Sequence, residues 1–180
     1  MLKFTKGGLY MSLYQKEFDT KAGKMVGICD ETHLLLLHFN DKYSLEKETE
    51  KIKQTLNEDI SSGNHEILDK LEQELSLYFD GKLSEFSVPI NFNIGTPFQQ
   101  KVWNALCDIP YGETISYKQL AENINQPTAF RAVANANGKN QLSIIVPCHR
   151  VIAADGSLGG YSSGVDRKEK LLAIESGLNV

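Results

Sequence analysis

A cysteine, a histidine and an arginine stand side by side at Cys148, His149 and Arg150, inside an otherwise apolar stretch over residues 144–152. Thiolate is the nucleophilic form of cysteine, and cationic neighbours favour it. Burial among apolar residues opposes ionisation, so a reactive Cys148 would need hydrogen-bonded help. Pro147 fixes φ next to the sulfur-bearing residue and stiffens its approach. The stretch therefore predicts a nucleophilic cysteine.

The residues alone leave other interpretations of Cys148 open. A buried cysteine often behaves as a small hydrophobic side chain, although a plain core strand would not carry two basic neighbours. A non-catalytic DNA-binding or sensory module is a second alternative. A cysteine hydrolase or acyltransferase is a third, but such enzymes bring cysteine and histidine together from distant parts of the chain. We interpret the segment as extended, which points the His149 side chain away from Cys148 and requires a bridging water between them.

Four helices are expected in the second half of the chain, and two of them begin with a capping box. In this motif a Thr or Ser and a Gln three residues later satisfy free backbone N–H groups. Thr96 and Ser116 occupy such positions, and Pro97 suits the first helical turn. Trp103 and Cys107 follow at helical spacing, so both are expected in the core.

A short helix ending at Ile124 and a second helix over residues 129–137, capped by Thr128, form either a helix-turn-helix or an ordinary helical hairpin. The second helix is rich in alanine, and Arg131 is its only long charged side chain. A recognition helix in the major groove usually carries several side chains that hydrogen-bond to base edges. Small residues with one arginine favour docking in the minor groove instead.

The first half of the chain predicts a small α+β domain. Strands are expected over residues 12–18, 24–30 and 33–39, followed by helices over residues 44–60 and 64–79, the latter capped by Asn64. Residues 82–93 connect the halves. We therefore predict domains over residues 1–92 and 93–180. The first ten residues are poorly patterned, and the first convincing strand follows Met11.

Composition bounds the possible functions. The net charge is −4, but residues 1–93 carry 11 basic and 16 acidic residues, a net −5, whereas the remainder carries 8 basic and 7 acidic residues, a net +1. A net charge of +1 is weak evidence for binding to nucleic acid.

No apolar run is long enough to span a bilayer. An odd number of cysteines argues against a disulfide framework, and Cys29, His33 and His38 lack metal-like spacing. We predict no metal and a reducing, cytoplasmic location.

The segment Pro147-Cys148-His149-Arg150-Val151 resembles the active-site signature of the O6-alkylguanine-DNA alkyltransferases, the methylated-DNA–protein-cysteine methyltransferases. The resemblance runs from about residue 96 to residue 175 and is weaker before that. It implies a small N-terminal strand-and-helix, ribonuclease-H-like domain followed by a mostly helical, winged helix-turn-helix-like domain. It also implies a monomer that needs no cofactor, binds double-stranded DNA containing O6-alkylguanine, flips the damaged base and keeps its alkyl group irreversibly on Cys148.

The resemblance assigns a role to each matching position. It implies that the catalytic group is Cys148 as acceptor, His149 as base, Glu175 as the carboxylate that orients His149, Tyr117 as proton donor to guanine, and Asn140 as the residue that holds the turn. It implies that Arg131 fills the space of the flipped base, with DNA contacts from Thr128, Ala129, Ala132 and Asn135. Substrate contacts are expected from Val146, Pro147, Tyr161 and Ser162. Ser163 stands where many relatives have glycine, which predicts a narrower pocket.

Overall fold

The computed structural model describes residues 4–5, 8–9 and 12–178, so Met11 and most of the first ten residues lie outside the described part. The strands are β1 (Phe4–Thr5), β2 (Gly8–Leu9), β3 (Leu13–Thr20), β4 (Gly23–Cys29), β5 (Leu34–Phe39), β6 (Ile60–Ser62), β7 (Ile115–Ser116) and β8 (Val151–Ile152). The helices are α1 (Lys42–Leu56), α2 (Glu66–Phe79), α3 (Pro97–Cys107), α4 (Tyr117–Asn123), α5 (Phe130–Gly138) and α6 (Val165–Glu175). One 3-10 turn, Cys148–Arg150, lies between α5 and β8.

The N-terminal half is a four-stranded sheet in the order β5-β4-β3-β6, with α2 packed against β3 and β4. The three predicted strands are confirmed, and the first two are joined by a tight turn at residues 21–22. The pairs β3–β4 and β4–β5 are antiparallel, whereas β6 runs parallel to β3. The apolar stripe of α2 is buried, as its spacing predicts.

Two predicted helix ends in this half are wrong. Helix α1 stops at Leu56 because Asn57 adopts the left-handed conformation, at φ 54°, which asparagine tolerates better than most residues. Ile60 therefore leaves the helix and pairs with Leu13 as the start of β6. Helix α2 is capped by His65 and not by Asn64, since the His65 ring nitrogen accepts a hydrogen bond from the backbone N–H of Ile67 at 3.3 Å.

The C-terminal half is mostly helical, and both predicted capping boxes are confirmed. The side chains of Thr96 and Ser116 accept hydrogen bonds from the backbone of the Gln three residues later, at 3.3 and 3.1 Å. Helix α5 starts one residue later than predicted, and no side chain caps it, so the predicted cap by Thr128 is wrong. Trp103 is buried, but Cys107 is exposed. Cys107 lies at the edge of the stripe and in the last turn of α3, where the core no longer covers it.

The two halves share one hydrophobic core that includes Phe18 and Tyr78 from the first half and Trp103 and Leu171 from the second. The segment before the Cys148 turn also pairs with the sheet, because Leu37 in β5 forms a parallel bridge with Leu142. The mixed α+β class with a sheet-bearing first half and a helical second half is thus confirmed. The division at residue 92 stays a prediction. Within the described residues, no helix combines the length and hydropathy that a membrane crossing requires.

Candidate active site

Cys148 opens the 3-10 turn and is only 3% exposed. The predicted extended segment is therefore wrong at this point, because the chain must turn sharply between the bridge at Leu142 and strand β8. The cysteine lies in the wall of a cavity of about 420 Å³, which is within the size range of small-molecule sites. The residues that line it are Tyr117, Ala134, Asn137, Gly138, Cys148, Gly160, Tyr161 and Ser162.

Asn140 connects the backbone around Cys148 to the sulfur itself. Its side-chain nitrogen donates to the carbonyl of Val146 at 2.8 Å and lies 3.1 Å from the sulfur of Cys148. Its side-chain oxygen accepts from the backbone N–H of Leu142 at 3.0 Å. A single amide therefore holds both ends of the turn, which is the role that the resemblance implies for Asn140, and it also presents a hydrogen-bond donor to the sulfur.

The environment of Cys148 keeps the resting sulfur protonated. Burial raises the pKa of the thiol, and the hydrogen bond from Asn140 and the charge of Lys168 only partly oppose this effect. A thiol with a raised pKa is a weak nucleophile at neutral pH. A base must therefore remove its proton when a substrate is bound.

His149 is fully buried and bonded to Glu175 through one ring nitrogen. Its Nε2 lies 2.7 Å from Oε1 of Glu175, whereas its Nδ1 has no hydrogen-bond partner in the part of the chain that the structure describes. Burial lowers the pKa of His149, and the hydrogen bond to Glu175 opposes this without reversing it. The ring is therefore neutral at neutral pH. Since an ionised carboxylate can only accept, the proton sits on Nε2 and Nδ1 is free to act as a base.

Glu175 is held by four groups and stays ionised although its side chain is buried. Arg150 donates to both carboxylate oxygens, at 2.8 Å to Oε2 and 3.0 Å to Oε1. The hydroxyl of Tyr78 donates to Oε1 at 2.8 Å, and the backbone N–H of Gly112 donates to Oε2 at 3.2 Å. Burial alone would raise the pKa of Glu175, but the hydrogen bonds from His149 and Arg150, together with the positive charge of Arg150, lower it to about 2.

Two tyrosines, Tyr117 and Tyr161, line the cavity. Tyr117 is the first residue of α4 and is half-buried. Burial raises its pKa, and the negative charge of Cys148 in its ionised form adds to this effect, so its hydroxyl remains a proton donor. The hydroxyl of Tyr161 is buried and has no hydrogen-bond partner among the residues described. Burial raises the pKa of Tyr161 well above its ordinary value, and the negative charge of Cys148 in its ionised form acts in the same direction.

The predicted DNA-contacting residues form a mostly exposed strip that begins at Thr128, just before α5, and continues along the helix. Thr128, Arg131, Ala132 and Asn135 are exposed, and Ala129 is half-buried. The inner face of the helix, with Val133 and Ala136, packs into the core. An exposed aromatic side chain also belongs to this surface. Phe130 is 45% exposed, and the guanidinium of Arg131 lies 5.8 Å from the centre of its ring.

The structure does not bring every predicted site residue to the cavity. Val146 is buried, and its carbonyl already accepts from the Asn140 side chain and from the backbone N–H of Cys148, each at 2.8 Å. Pro147 faces a separate cavity of about 540 Å³, which Arg150 also lines. Tyr161 and Ser162 do line the Cys148 cavity. The described residues contain no cluster of His, Cys, Asp and Glu that could hold a metal ion.

Sequence reasoning missed several residues of the site. Asn137 lines the cavity, and its side-chain nitrogen donates to the carbonyl of Cys148 at 3.3 Å. The helical spacing from Ala134 could have placed it on the cavity side of α5. Arg150 stood in the motif, but nothing in the sequence indicated its bidentate contact with Glu175. Tyr78 gave no signal beyond its place in the apolar stripe of α2.

Comparisons with known proteins match both halves of the chain. Residues 97–177 match the family model described as the DNA binding domain of 6-O-methylguanine DNA methyltransferase, and residues 9–92 match its ribonuclease-like domain. The methylated-DNA–protein-cysteine methyltransferase of Methanosarcina barkeri is 50% identical over 112 residues, which cover 62% of this chain and 70% of that protein. The one of Mycobacterium tuberculosis is 55% identical over 102 residues, or 57% of this chain and 61% of that protein.

Solved structures of the same kind superpose on nearly the whole chain. The crystal structure of Mycobacterium tuberculosis OGT in complex with DNA has a TM-score of 0.76 and 38% identity, and covers 91% of this chain and 93% of that chain. The O6-methylguanine-DNA methyltransferase of Pyrococcus kodakaraensis has a TM-score of 0.69 and 26% identity, over 91% of this chain and 98% of that chain. From the matches in both halves, the chain belongs to the 6-O-methylguanine DNA methyltransferase family.

Proposed function

We propose that this protein repairs double-stranded DNA by moving the methyl group of O6-methylguanine onto the sulfur of Cys148. The observation that carries the proposal is the place of that sulfur in a cavity wall, beside a neutral His149 whose far ring nitrogen is tied to Glu175. Family membership supports it independently. The names of the relatives specify a methylated DNA and an acceptor cysteine, which is the chemistry that this site can support.

The first step creates the nucleophile. The Nδ1 of His149 takes the proton of Cys148, with a water molecule as the relay between the two groups. Glu175 then stabilises the positive charge on the imidazole, as a carboxylate does in other nucleophile–base–acid relays. The donors on Asn140 stabilise the thiolate. This division of roles accounts for a sulfur that is unreactive until a substrate fills the cavity.

The second step is a displacement at a saturated carbon. The thiolate forms a sulfur–carbon bond with the methyl group while the bond from that carbon to O6 of guanine breaks. The bonding electron pair leaves with the guanine, and the hydroxyl of Tyr117 supplies a proton to neutralise it. The reaction needs no acyl-type oxyanion hole. The product is a thioether, and the described residues of the site offer no group that would break the new sulfur–carbon bond and regenerate the thiol. Each protein molecule therefore acts once.

The third requirement is access to the base. O6 of a stacked guanine cannot reach a sulfur that is 3% exposed, so the damaged nucleotide must rotate out of the duplex into the cavity. The small residues of α5 suit close approach to the minor groove, and Arg131 is the side chain proposed to take the place of the extruded base. The net charge of +1 on the second half is enough for weak, sequence-independent binding, with which the protein scans DNA.

The remaining assignments are part of the same proposal. We place a domain boundary at residues 92 and 93, and we expect a monomer that works in the cytoplasm. Tyr161 and Ser162 line the cavity and are proposed to contact the guanine. Contacts from Val146 and Pro147 are proposed as well, although neither residue lines that cavity.

The direct test is an intact-mass measurement after incubation with duplex DNA that contains one O6-methylguanine. We expect one methyl group gained per chain, mapped by peptide analysis to Cys148, because the thioether is stable. The variant Cys148→Ser should gain none. The variants Cys29→Ser and Cys107→Ser serve as matched controls and should gain the same single methyl group as the wild type.

Two results would refute the proposal. One is a methyl group on Cys29 or Cys107, and the other is continued turnover after Cys148 is fully modified. If DNA binding persists but no methyl group is gained, the chain is a damage-sensing module instead. Turnover on an acyl or peptide substrate would point to a cysteine hydrolase.

A further inference from the structure

A tyrosine from the N-terminal half reaches the catalytic carboxylate. Tyr78 lies on α2, is 1% exposed, and donates its hydroxyl proton to Oε1 of Glu175 at 2.8 Å. The contact joins residues 97 positions apart in the chain. The same oxygen, Oε1, lies 2.7 Å from Nε2 of His149. The tyrosine and the histidine therefore share one acceptor atom.

Packing alone does not explain the hydroxyl. The ring of Tyr78 meets Phe79 edge-on at 5.4 Å, a tilted Phe86 at 5.5 Å and Tyr111 edge-on at 6.3 Å. A phenylalanine would keep these ring contacts. A buried hydroxyl needs a partner, but here the partner is an ionised side chain, and a hydrogen bond to a charged group is stronger than one to a neutral group.

We propose that Tyr78 is a positioning residue for the alkyl transfer, which holds Oε1 of Glu175 in line with Nε2 of His149 and limits how strongly that oxygen attracts the imidazole proton. The inference rests on the proposed function of the site. The N-terminal half would then set the basicity of the histidine that deprotonates Cys148, in addition to supporting the fold.

The charged and titratable groups around this pair define the expected effect. Three elements contribute groups that face Glu175. Helix α2 contributes Tyr78, and the segment after α3 contributes Tyr111 and the N–H of Gly112. The 3-10 turn contributes His149 and Arg150. His149 faces Glu175 and Lys168 from α6 and Arg150 within its own turn. Tyr78 stays protonated throughout, since burial and then the charge of Glu175 raise its pKa well above the ordinary value.

Removal of the Tyr78 hydroxyl leaves more negative charge on Oε1 for His149. The protonated imidazole is then better stabilised, so the pKa of His149 rises. The base is usable only while it is neutral, so the acidic limb of the pH–rate profile should move to higher pH. For a shared charge-assisted hydrogen bond we expect a shift of about half a pH unit, or a roughly threefold lower rate on the acidic side.

The experiment compares the full-length wild type with Tyr78→Phe. Single-turnover methyl transfer from an O6-methylguanine duplex is measured across a pH series, and the ring nitrogens of His149 are titrated by NMR in the absence of DNA. We expect both the acidic limb and the His149 titration to move upward together. Thermal unfolding confirms that the variant is folded.

Tyr111→Phe is the matched control. Tyr111 is the neighbouring tyrosine, but its hydroxyl donates to the backbone carbonyl of Ile174 at 3.4 Å and not to Glu175. It should leave both titrations in place. An unmoved His149 titration in folded Tyr78→Phe, or an equal shift in both variants, would overturn the inference. The NMR titration does not depend on activity, so failure of this inference can be told apart from failure of the proposed function. A wild type that gains no methyl group would refute the proposed function, whereas an unmoved His149 titration in Tyr78→Phe would refute only the role of Tyr78.

Discussion

At the scale of single residues, the site separates a neutral nucleophile from a permanent charge. Cys148 is buried with a raised pKa, His149 is buried with a lowered pKa, and only Glu175 carries charge at rest, balanced by Arg150. A buried carboxylate is tolerable only when several donors replace its water. The buried charge of Glu175 is therefore paired with a buried cation and held by further donors, whereas the sulfur and the imidazole are uncharged at rest.

The depressed pKa of Glu175 makes the stability of the protein depend on acid. Its pKa is about 2 in the folded chain, against an ordinary value of 4.5. Because the unfolded state binds the proton more strongly, the contribution of Glu175 is fully present above about pH 4.5 and is lost as the pH falls towards about 2. Glu175→Gln should lower the free energy of unfolding by about 3 kcal/mol at neutral pH, since Arg150 loses its counter-charge.

The measurement is urea unfolding of both proteins at a series of pH values. The difference between them should shrink as the pH falls through that window, because the wild type loses what the variant already lacks. Glu122→Gln is the control, since Glu122 forms an exposed pair with Lys118 at 3.8 Å and such pairs contribute little. A wild-type advantage that stays constant down to the lowest pH would contradict the role given to the charge.

At the scale of elements, three faces of α5 have different surroundings. One side buries Val133 and Ala136, another lines the cavity with Ala134 and Asn137, and the outer strip carries Arg131. A short helix of small residues can serve all three because its narrow side chains let the backbone approach each surface closely. The alanine content of this helix and its single arginine already indicate this strip in the sequence.

Arg131→Ala should slow methyl transfer from duplex DNA at least about tenfold, because the gap left by a flipped base would then stay unfilled. The reaction with free O6-benzylguanine, which needs no flipping, should change by less than about twofold. Both rates come from single-turnover assays of Cys148 alkylation. Lys47→Ala, an exposed charge removed from α1, is the control. Equal losses on the duplex and the free base would argue against a flipping role.

The sequence predicted those elements whose signals are local. The capping boxes at Thr96 and Ser116 fixed two helix starts, because the cap and its partner lie three residues apart. The same reasoning failed at Thr128, where no side-chain bond forms. The 3-10 turn at Cys148 was hidden, since its shape depends on Asn140 and on the bridge to β5. The contact from Tyr78 to Glu175 spans 97 positions and has no local signal.

At the scale of the whole molecule, side chains tie the site to the sheet at several points. His38 of β5 bonds through Nε2 to the carbonyl of Asn140 at 3.0 Å. Arg167 of α6 donates to the carboxylate of Asp41 at 2.6 Å and to the carbonyl of Ser163 at 2.8 Å, with its guanidinium 4.5 Å from the ring centre of Phe39. Both the Cys148 turn and the segment over residues 160–163, which lines the cavity, are thus anchored to the first half.

Arg167→Ala should therefore destabilise the whole chain by about 1–3 kcal/mol, since it removes hydrogen bonds to a charged partner and a cation–π contact. Urea unfolding followed by Trp103 fluorescence and by circular dichroism should give one coincident transition at a lower midpoint. Arg131→Ala provides a matched arginine control, because its side chain is exposed and its loss should change stability by less than about 0.5 kcal/mol. Equal midpoints for the two variants would exclude Arg167 as a tie between the halves.

Strand β5 ends the sheet, and all six of its residues are buried. Its outer hydrogen-bonding edge meets residues 141–143, where the N–H of Leu37 donates to the carbonyl of Gln141 at 2.8 Å and the N–H of Ser143 donates to the carbonyl of Leu37 at 2.9 Å. An uncovered edge of this kind recruits strands from other molecules. The segment that leads to Cys148 thus also covers this edge at Leu37, while residues 89–91 cover it at Leu34. Substitutions that loosen residues 141–143 should therefore promote aggregation of the protein as well as reduce its activity.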